Sequence, residues 1–217
     1  MDLSWLFNGP TLRFLAAGLG TTLELAAVSI AISFAGGVVL ALARLSRFRP
    51  LSVVATIYIE GMRGLPVLLV IFFAYFALPH MIGMKLEPFA AAVIALSAFT
   101  AALVAEIVRA GILSVPAGLV EAAQSQGLSG AQIMRIISLP IALRRMMPAL
   151  VAQFVTLLKD TSLTAVINIL ELTRRGQIVY SQPPFQPMPV YALIALIYFT
   201  VNFGLGRIGR RLEARTA

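Results

Sequence analysis

The sequence predicts an all-α integral membrane protein: five transmembrane helices in a single domain over residues 1–217, N-terminus out and C-terminus in, with one helical projection into the cytoplasm. Three observations carry that fold class. Hydrophobic residues make up 59% of the chain and charged residues only 12%, with a mean hydropathy of +0.92. That is too little charge to cover a water-soluble domain of this size. Five apolar segments each reach the roughly 20 residues that a helix needs to cross a hydrocarbon core. The cations gather at the ends of those segments, as expected when Lys and Arg are retained on the cytoplasmic side.

Taken in order, the apolar segments cover residues 14–43, 51–78, 88–113, 143–170 and 190–208. Residues 1–10 are acidic and aromatic rather than basic, and the run after them is longer than a signal core. The first segment is therefore expected to remain a span. The first two segments exceed the minimum and must tilt, bend or extend into the headgroups. Arg44, Arg47, Arg49 and Pro50 close the first. A turn from Pro79 through His80, Gly83, Lys85 and Glu87 to Pro88 separates the second from the third. Residues 114–140 form the one extended polar insertion, and Pro183, Pro184, Pro187 and Pro189 stiffen the approach to the fifth.

Orientation follows from the cations. With the first span starting outside, the inner side collects Arg44, Arg47, Arg49, Arg109, Arg135, Arg144, Arg145, Arg207, Arg210, Arg211 and Arg215. The outer side keeps Arg13, Lys85, Arg174 and Arg175, while Arg63 and Lys159 fall within spans. The net charge of +8 is thus explained by membrane topology, and no nucleic-acid partner is expected.

The insertion at 114–140 carries the most specific signal. Pro116 and Gly118 break the preceding helix. Residues 119–126 contain good helix formers, and Gly127 suits a terminus that needs positive φ. Ser129 is placed to cap a second helix, with Gln132 in the capping-box position.

Glu121-Ala122-Ala123, then Gly127, Ile137 and Leu139-Pro140 at their spacing, resemble the EAA signature of binding-protein-dependent type I ABC importer permeases. The likeness runs from about residue 19 to 213, and the permease core is expected over about 19–207. It resembles the polar amino-acid branch, the histidine, glutamine and arginine permeases. Gly20-Thr21-Thr22-Leu23, Tyr58 with Glu60, Arg63-Gly64-Leu65-Pro66, the Ala105–Ile112 run with Ser114-Val115-Pro116, and Leu158-Lys159-Asp160-Thr161-Ser162-Leu163 carry it. Ala101-Ala102-Leu103 and Ala110 depart from the usual pattern of the third span.

The resemblance implies a subunit of the bacterial inner membrane whose short cytoplasmic helix docks on a separate ATPase. It implies two such ATPases, which bind ATP and Mg, a second permease subunit, identical or paralogous, and an extracytoplasmic amino-acid-binding protein. Glu121, Ala122, Ala123, Gly127, Ile137, Leu139 and Pro140 would form the coupling surface. The chain itself is expected to be non-catalytic and to bind no cofactor.

In the fourth span Gln153, Thr156, Asp160, Thr164, Asn168 and Glu171 recur at spacings of three and four, which places them on one helical face. Lys159 lies just off that stripe. The stripe suits a translocation path; its uncharged members suit helix–helix contact equally well. Leu158, Val151, Val155 and Ile169 occupy the opposite, apolar side. Glu60 with Arg63, and Glu106 with Arg109, are each one turn apart and read as structural ion pairs. Glu24 has no evident partner.

Other function classes fit less well. A phosphate-binding loop needs Gly-Lys followed by Ser or Thr, whereas Lys85 and Lys159 follow Met84 and Leu158. With no cysteine and one histidine, His80, in a surface turn, no metal site is expected. No internal repeat of the kind that builds secondary carriers is visible.

Overall fold

The computed structural model describes residues 3–216, with the side chains of Ile208 and of residues 210–216 outside the description. Arg210, Arg211 and Arg215, counted above toward the inner side, therefore lie outside the described side chains. The described residues form ten α-helices linked by short 3₁₀ and π segments, with no strand. Four helices are long and apolar enough to cross a membrane: Gly9–Arg44, Pro88–Leu113, Gly130–Ile167 and Pro187–Arg207. A fifth crossing is available if the bent pair Arg49–Arg63 and Val67–Ile82 counts as one span.

Helix α1 (Gly9–Arg44) starts where Asn8 accepts a hydrogen bond from the Thr11 amide at 2.8 Å, with Pro10 in the first turn. The second apolar segment is not one helix. Helix α2 (Arg49–Arg63) stops at Gly64, and α3 (Val67–Phe72) and α4 (Leu78–Ile82) continue at 108° to it. The cause is local: Pro66 has no amide to donate and disfavours helical backbone at Leu65. Helix α5 (Pro88–Leu113) spans the residues the sequence predicts for it.

Two wide π-turns, Phe73–Ala77 and Met134–Ser138, each precede a Leu-Pro step, Leu78-Pro79 and Leu139-Pro140. A proline entering a continuing helix leaves a carbonyl one turn earlier without its donor, and the widened turn absorbs that mismatch.

Helix α5 is the centre of the bundle. Ala91, Ala92, Ala95, Ala101, Ala102 and Ala105 are buried along it, and their small side chains let α1 run against it over most of its length. At one end, Leu25 of α1, Val70 and Ile71 of α3, and Ala92, Ala95 and Leu96 of α5 share a core. At the other, Ala41 and Ile59 meet Val104, Ala105 and Val108, together with Ala142, Met146 and Leu150 of α8 (Leu139–Asp160).

The fourth apolar segment also departs from expectation. Helix α8 ends at Asp160, a 3₁₀ segment runs Thr161–Ile167, and Asn168 adopts left-handed backbone at φ 66°. The hydroxyls of Thr161, Ser162 and Thr164 bond back to the carbonyls of Leu158, Lys159 and Thr161 at 2.6–2.7 Å, which favours the tighter winding. Glu171 then caps a separate short helix, α9 (Leu172–Tyr180), before α10 (Pro187–Thr216) closes the bundle.

Candidate functional site

Three constructions concentrate the polar chemistry of the chain: a helical projection between α5 and α8, a polar segment after α8, and an ion-pair cluster where α1, α2 and α5 meet.

The projection begins at Ser114, which ends α5, and passes through Pro116 into α6 (Ala117–Ser125). Its stop is fully bonded. The Leu128 amide donates to the Ala123 carbonyl at 3.2 Å and the Gly127 amide to that of Gln124 at 2.9 Å, with Gly127 at φ 79°. These are the paired bonds of a Schellman stop, which demands a residue tolerant of left-handed backbone. Helix α7 (Gly130–Ile133) opens with the expected capping box: Ser129 N–H donates to Gln132 Oε1 at 2.8 Å, and the Gln132 amide to Ser129 Oγ at 3.4 Å.

Glu121 and Ala122 are exposed on α6, while Ala123 is buried against the segment that follows. Ile137 is half-buried, and Leu139 and Pro140 are exposed. Leu119, Met134 and Ile136 also expose apolar side chains here, and these were not singled out in the sequence. The projection is tied to the bundle by Arg145 of α8, whose guanidinium donates to the Ser114 carbonyl.

The polar stripe expected along the fourth span is divided. Gln153, Thr156, Lys159 and Asp160 lie on α8, where Thr156 and Lys159 are exposed, and Asn168 is exposed beyond it. Thr164 and Glu171 are turned inward and fully buried. On the apolar side, which can face lipid or apolar neighbours, Leu158 and Ile169 are buried among apolar neighbours, Leu158 with Ala26 and Ile169 in the core with Leu25. The change from α to 3₁₀ winding at Thr161 and the left-handed Asn168 shift the angular phase, so residues that share a face in a uniform helix no longer do.

Glu171 instead organises the turn into α9. It accepts hydrogen bonds from the amides of Thr173 at 2.8 Å and Arg174 at 2.6 Å, and from the Tyr198 hydroxyl of α10 at 3.0 Å. The Leu172 amide donates to Thr22 Oγ1 of α1 at 3.1 Å, and Arg175 donates to the Phe14 carbonyl at 3.2 Å while lying over its ring. Arg174 donates to Asn168 Oδ1 at 3.0 Å and Gln177 Oε1 at 3.1 Å.

In the ion-pair cluster, Glu60 meets Arg63 at 3.4 Å and Glu106 meets Arg109. Arg44, counted in the sequence only as a cation ending the first span, joins the two pairs: it lies 3.0 Å from Glu60 and 2.7 Å from Glu106. Nothing in the sequence pattern marks that link, because its partners stand 16 and 62 residues away. Among the described residues no group of three His, Cys, Asp or Glu side chains is placed to hold a metal ion.

Comparison with known proteins places this architecture. Residues 33–217 match the family described as the inner membrane component of binding-protein-dependent transport systems. The chain is 44% identical to the probable glutamine ABC transporter permease protein GlnP of Bacillus subtilis (strain 168), with 99% of each chain covered. It is 34% identical to the arginine transport system permease protein ArtQ of the same organism, over 99% of this chain and 98% of that one. Among solved structures, an amino acid ABC transporter crystallised with histidines superposes with a TM-score of 0.91 at 33% identity, over 99% of this chain and 100% of that one. The chain belongs to the family of inner-membrane components of binding-protein-dependent transport systems, a multi-pass membrane permease.

Proposed function

We propose that this chain is the permease subunit of an ATP-driven importer of polar amino acids, forming half of a translocation path with a second permease subunit. The observation that carries the substrate class is the full-length similarity to permeases named for glutamine and for arginine. The helical projection α6, standing out from the bundle with exposed Glu121 and Ala122, supports the mode of energy supply.

An extracytoplasmic binding protein delivers the amino acid to the outer face. Two ATPase subunits, which bind ATP and Mg, close on ATP and draw the projections together, which reorients the permease pair, and hydrolysis resets it. Glu121, Ala122, Ala123, Gly127, Ile137, Leu139 and Pro140 form the contact with the ATPase. Gln153, Thr156, Lys159, Asp160 and Asn168 face the path, while the buried Thr164 and Glu171 shape its wall from behind. The domain is a single unit in which residues 114–140 are the coupling loop.

The test is reconstitution of the chain in liposomes with its ATPase and binding protein. Uptake of radiolabelled glutamine or arginine is expected only with ATP inside and binding protein outside. Uptake by the chain alone, driven by an ion gradient, would show a self-sufficient carrier and overturn the proposal.

A further inference from the structure

Where α1, α2 and α5 converge, five charged side chains form one cluster, in which the Arg44 guanidinium of α1 joins the Glu60–Arg63 pair of α2 to the Glu106–Arg109 pair of α5. Arg44 is the last residue of α1; Glu106 lies seven residues before the end of α5; Glu60 lies four residues before Gly64, where α2 breaks. Arg44 is 3.0 Å from one carboxylate and 2.7 Å from the other, and its side chain is only 19% exposed. A planar guanidinium can serve two carboxylates at once with its separate amino groups, which an ammonium does poorly.

We infer that Arg44 is a positioning residue of the transport cycle, tying movement of the projection to the bend between α2 and α3; this rests on the importer reading above. The mechanical argument has three parts. Helix α5 runs directly into the projection through Ser114 and Pro116, so a force on α6 is delivered first to the end of α5. Glu106 is about 10 Å up α5 from that end at 1.5 Å per residue, and through Arg44 it is joined to Glu60. Glu60 stands beside the 108° break, beyond which α3 packs on the other half of α5. Glu106 and Arg145 also line a cavity of about 320 Å³ between α5 and α8, which leaves room for the two helix ends to shift.

Removing Arg44 isolates this role from folding. Glu60 retains Arg63 and Glu106 retains Arg109, each on its own helix, so neither acid loses every partner. What disappears is the connection between helices.

The experiment uses the full complex of permease, ATPase and binding protein in liposomes, with Arg44→Gln and, from the other end of the link, Glu60→Ala, whose side chain is 52% exposed. Both variants are expected to insert and to keep basal ATP hydrolysis. Stimulation of hydrolysis by loaded binding protein, and amino acid moved per ATP, are expected to fall about fivefold or more, the lower range of coupling between distant sites. Arg44→Lys is expected to recover part of that loss. Wild-type coupling in either Arg44→Gln or Glu60→Ala would overturn the inference. Loss of basal hydrolysis in step with uptake in both variants would also overturn it, as a general structural defect. Absence of ATP-dependent uptake by the wild-type complex would instead overturn the importer reading itself.

Discussion

Gly127 and Glu171 make opposite demands on their surroundings. Gly127 sits at φ 79° with open space around the position of a Cβ, so a side chain there meets backbone strain and no clash. Gly127→Val is therefore expected to unwind the stop of α6 and abolish most uptake at normal membrane abundance, whereas Gly127→Asn, which tolerates left-handed backbone, retains it. Equal uptake by the two variants would refute the conformational account. Glu171 is the reverse case, a fully buried carboxylate surrounded by donors. Glu171→Ala leaves the Thr173 and Arg174 amides unpaired, and the Tyr198 hydroxyl with only Thr173 Oγ1 at 3.4 Å, a cost of about 1–3 kcal/mol per buried group left unpaired. Tyr198→Phe removes one donor while the two amides still bond the carboxylate. Thermal unfolding in detergent should rank wild type above Tyr198→Phe and Tyr198→Phe above Glu171→Ala. Gly127 and the capping box at Ser129 were legible in the sequence because each is fixed by residues within three or four positions. The capping bonds of Glu171 are as local, but reading one continuous helix through residue 170 hid them, and its third partner, Tyr198, stands 27 residues away.

At the scale of elements, apolar runs were legible and their interruptions only partly so. Helix α5 is uniform, and the run predicts it directly. The second run is equally apolar, but Gly64-Leu65-Pro66 turns it through 108°, a consequence of backbone chemistry that hydropathy does not register. The fourth run misled for a related reason: the polar spacing assumed one helical period, and the Thr and Ser hydroxyls after Asp160 changed it. Contact between elements is where the sequence was least informative. A Cβ on Gly18 of α1 would stand 2.7 Å from the Arg175 side chain and 3.0 Å from the Leu172 backbone, so this glycine sets the approach of α1 to α9. Gly18→Ala is expected to push the two helices apart and to destabilise the protein by about 1–3 kcal/mol. A drop in unfolding temperature in detergent checks this, and an unchanged value would mean the helices separate without cost.

The whole molecule is electrically asymmetric, and the tertiary contacts show which ends belong together. Arg44 meets Glu106, Arg145 meets the Ser114 carbonyl, and Gly209 of α10 packs against Val151 of α8. The C-terminal ends of α1, α5 and α10 therefore gather with the start of α8 at the end that bears the projection. Arg175 meets the Phe14 carbonyl, so Arg13, Arg174 and Arg175 share the opposite end with the start of α1. Cations counted near membrane spans set orientation, and the end bearing the projection holds most of them. On the proposed importer reading that end faces the cytoplasm, the side from which an ATPase would reach α6. A C-terminal fusion to a reporter that folds only in the cytoplasm should be active, and a cysteine introduced at Glu121 into this cysteine-free chain should resist impermeant thiol reagents in intact cells and react in inverted vesicles. Labelling of that cysteine from outside would place the projection beyond the reach of ATP and overturn the importer reading.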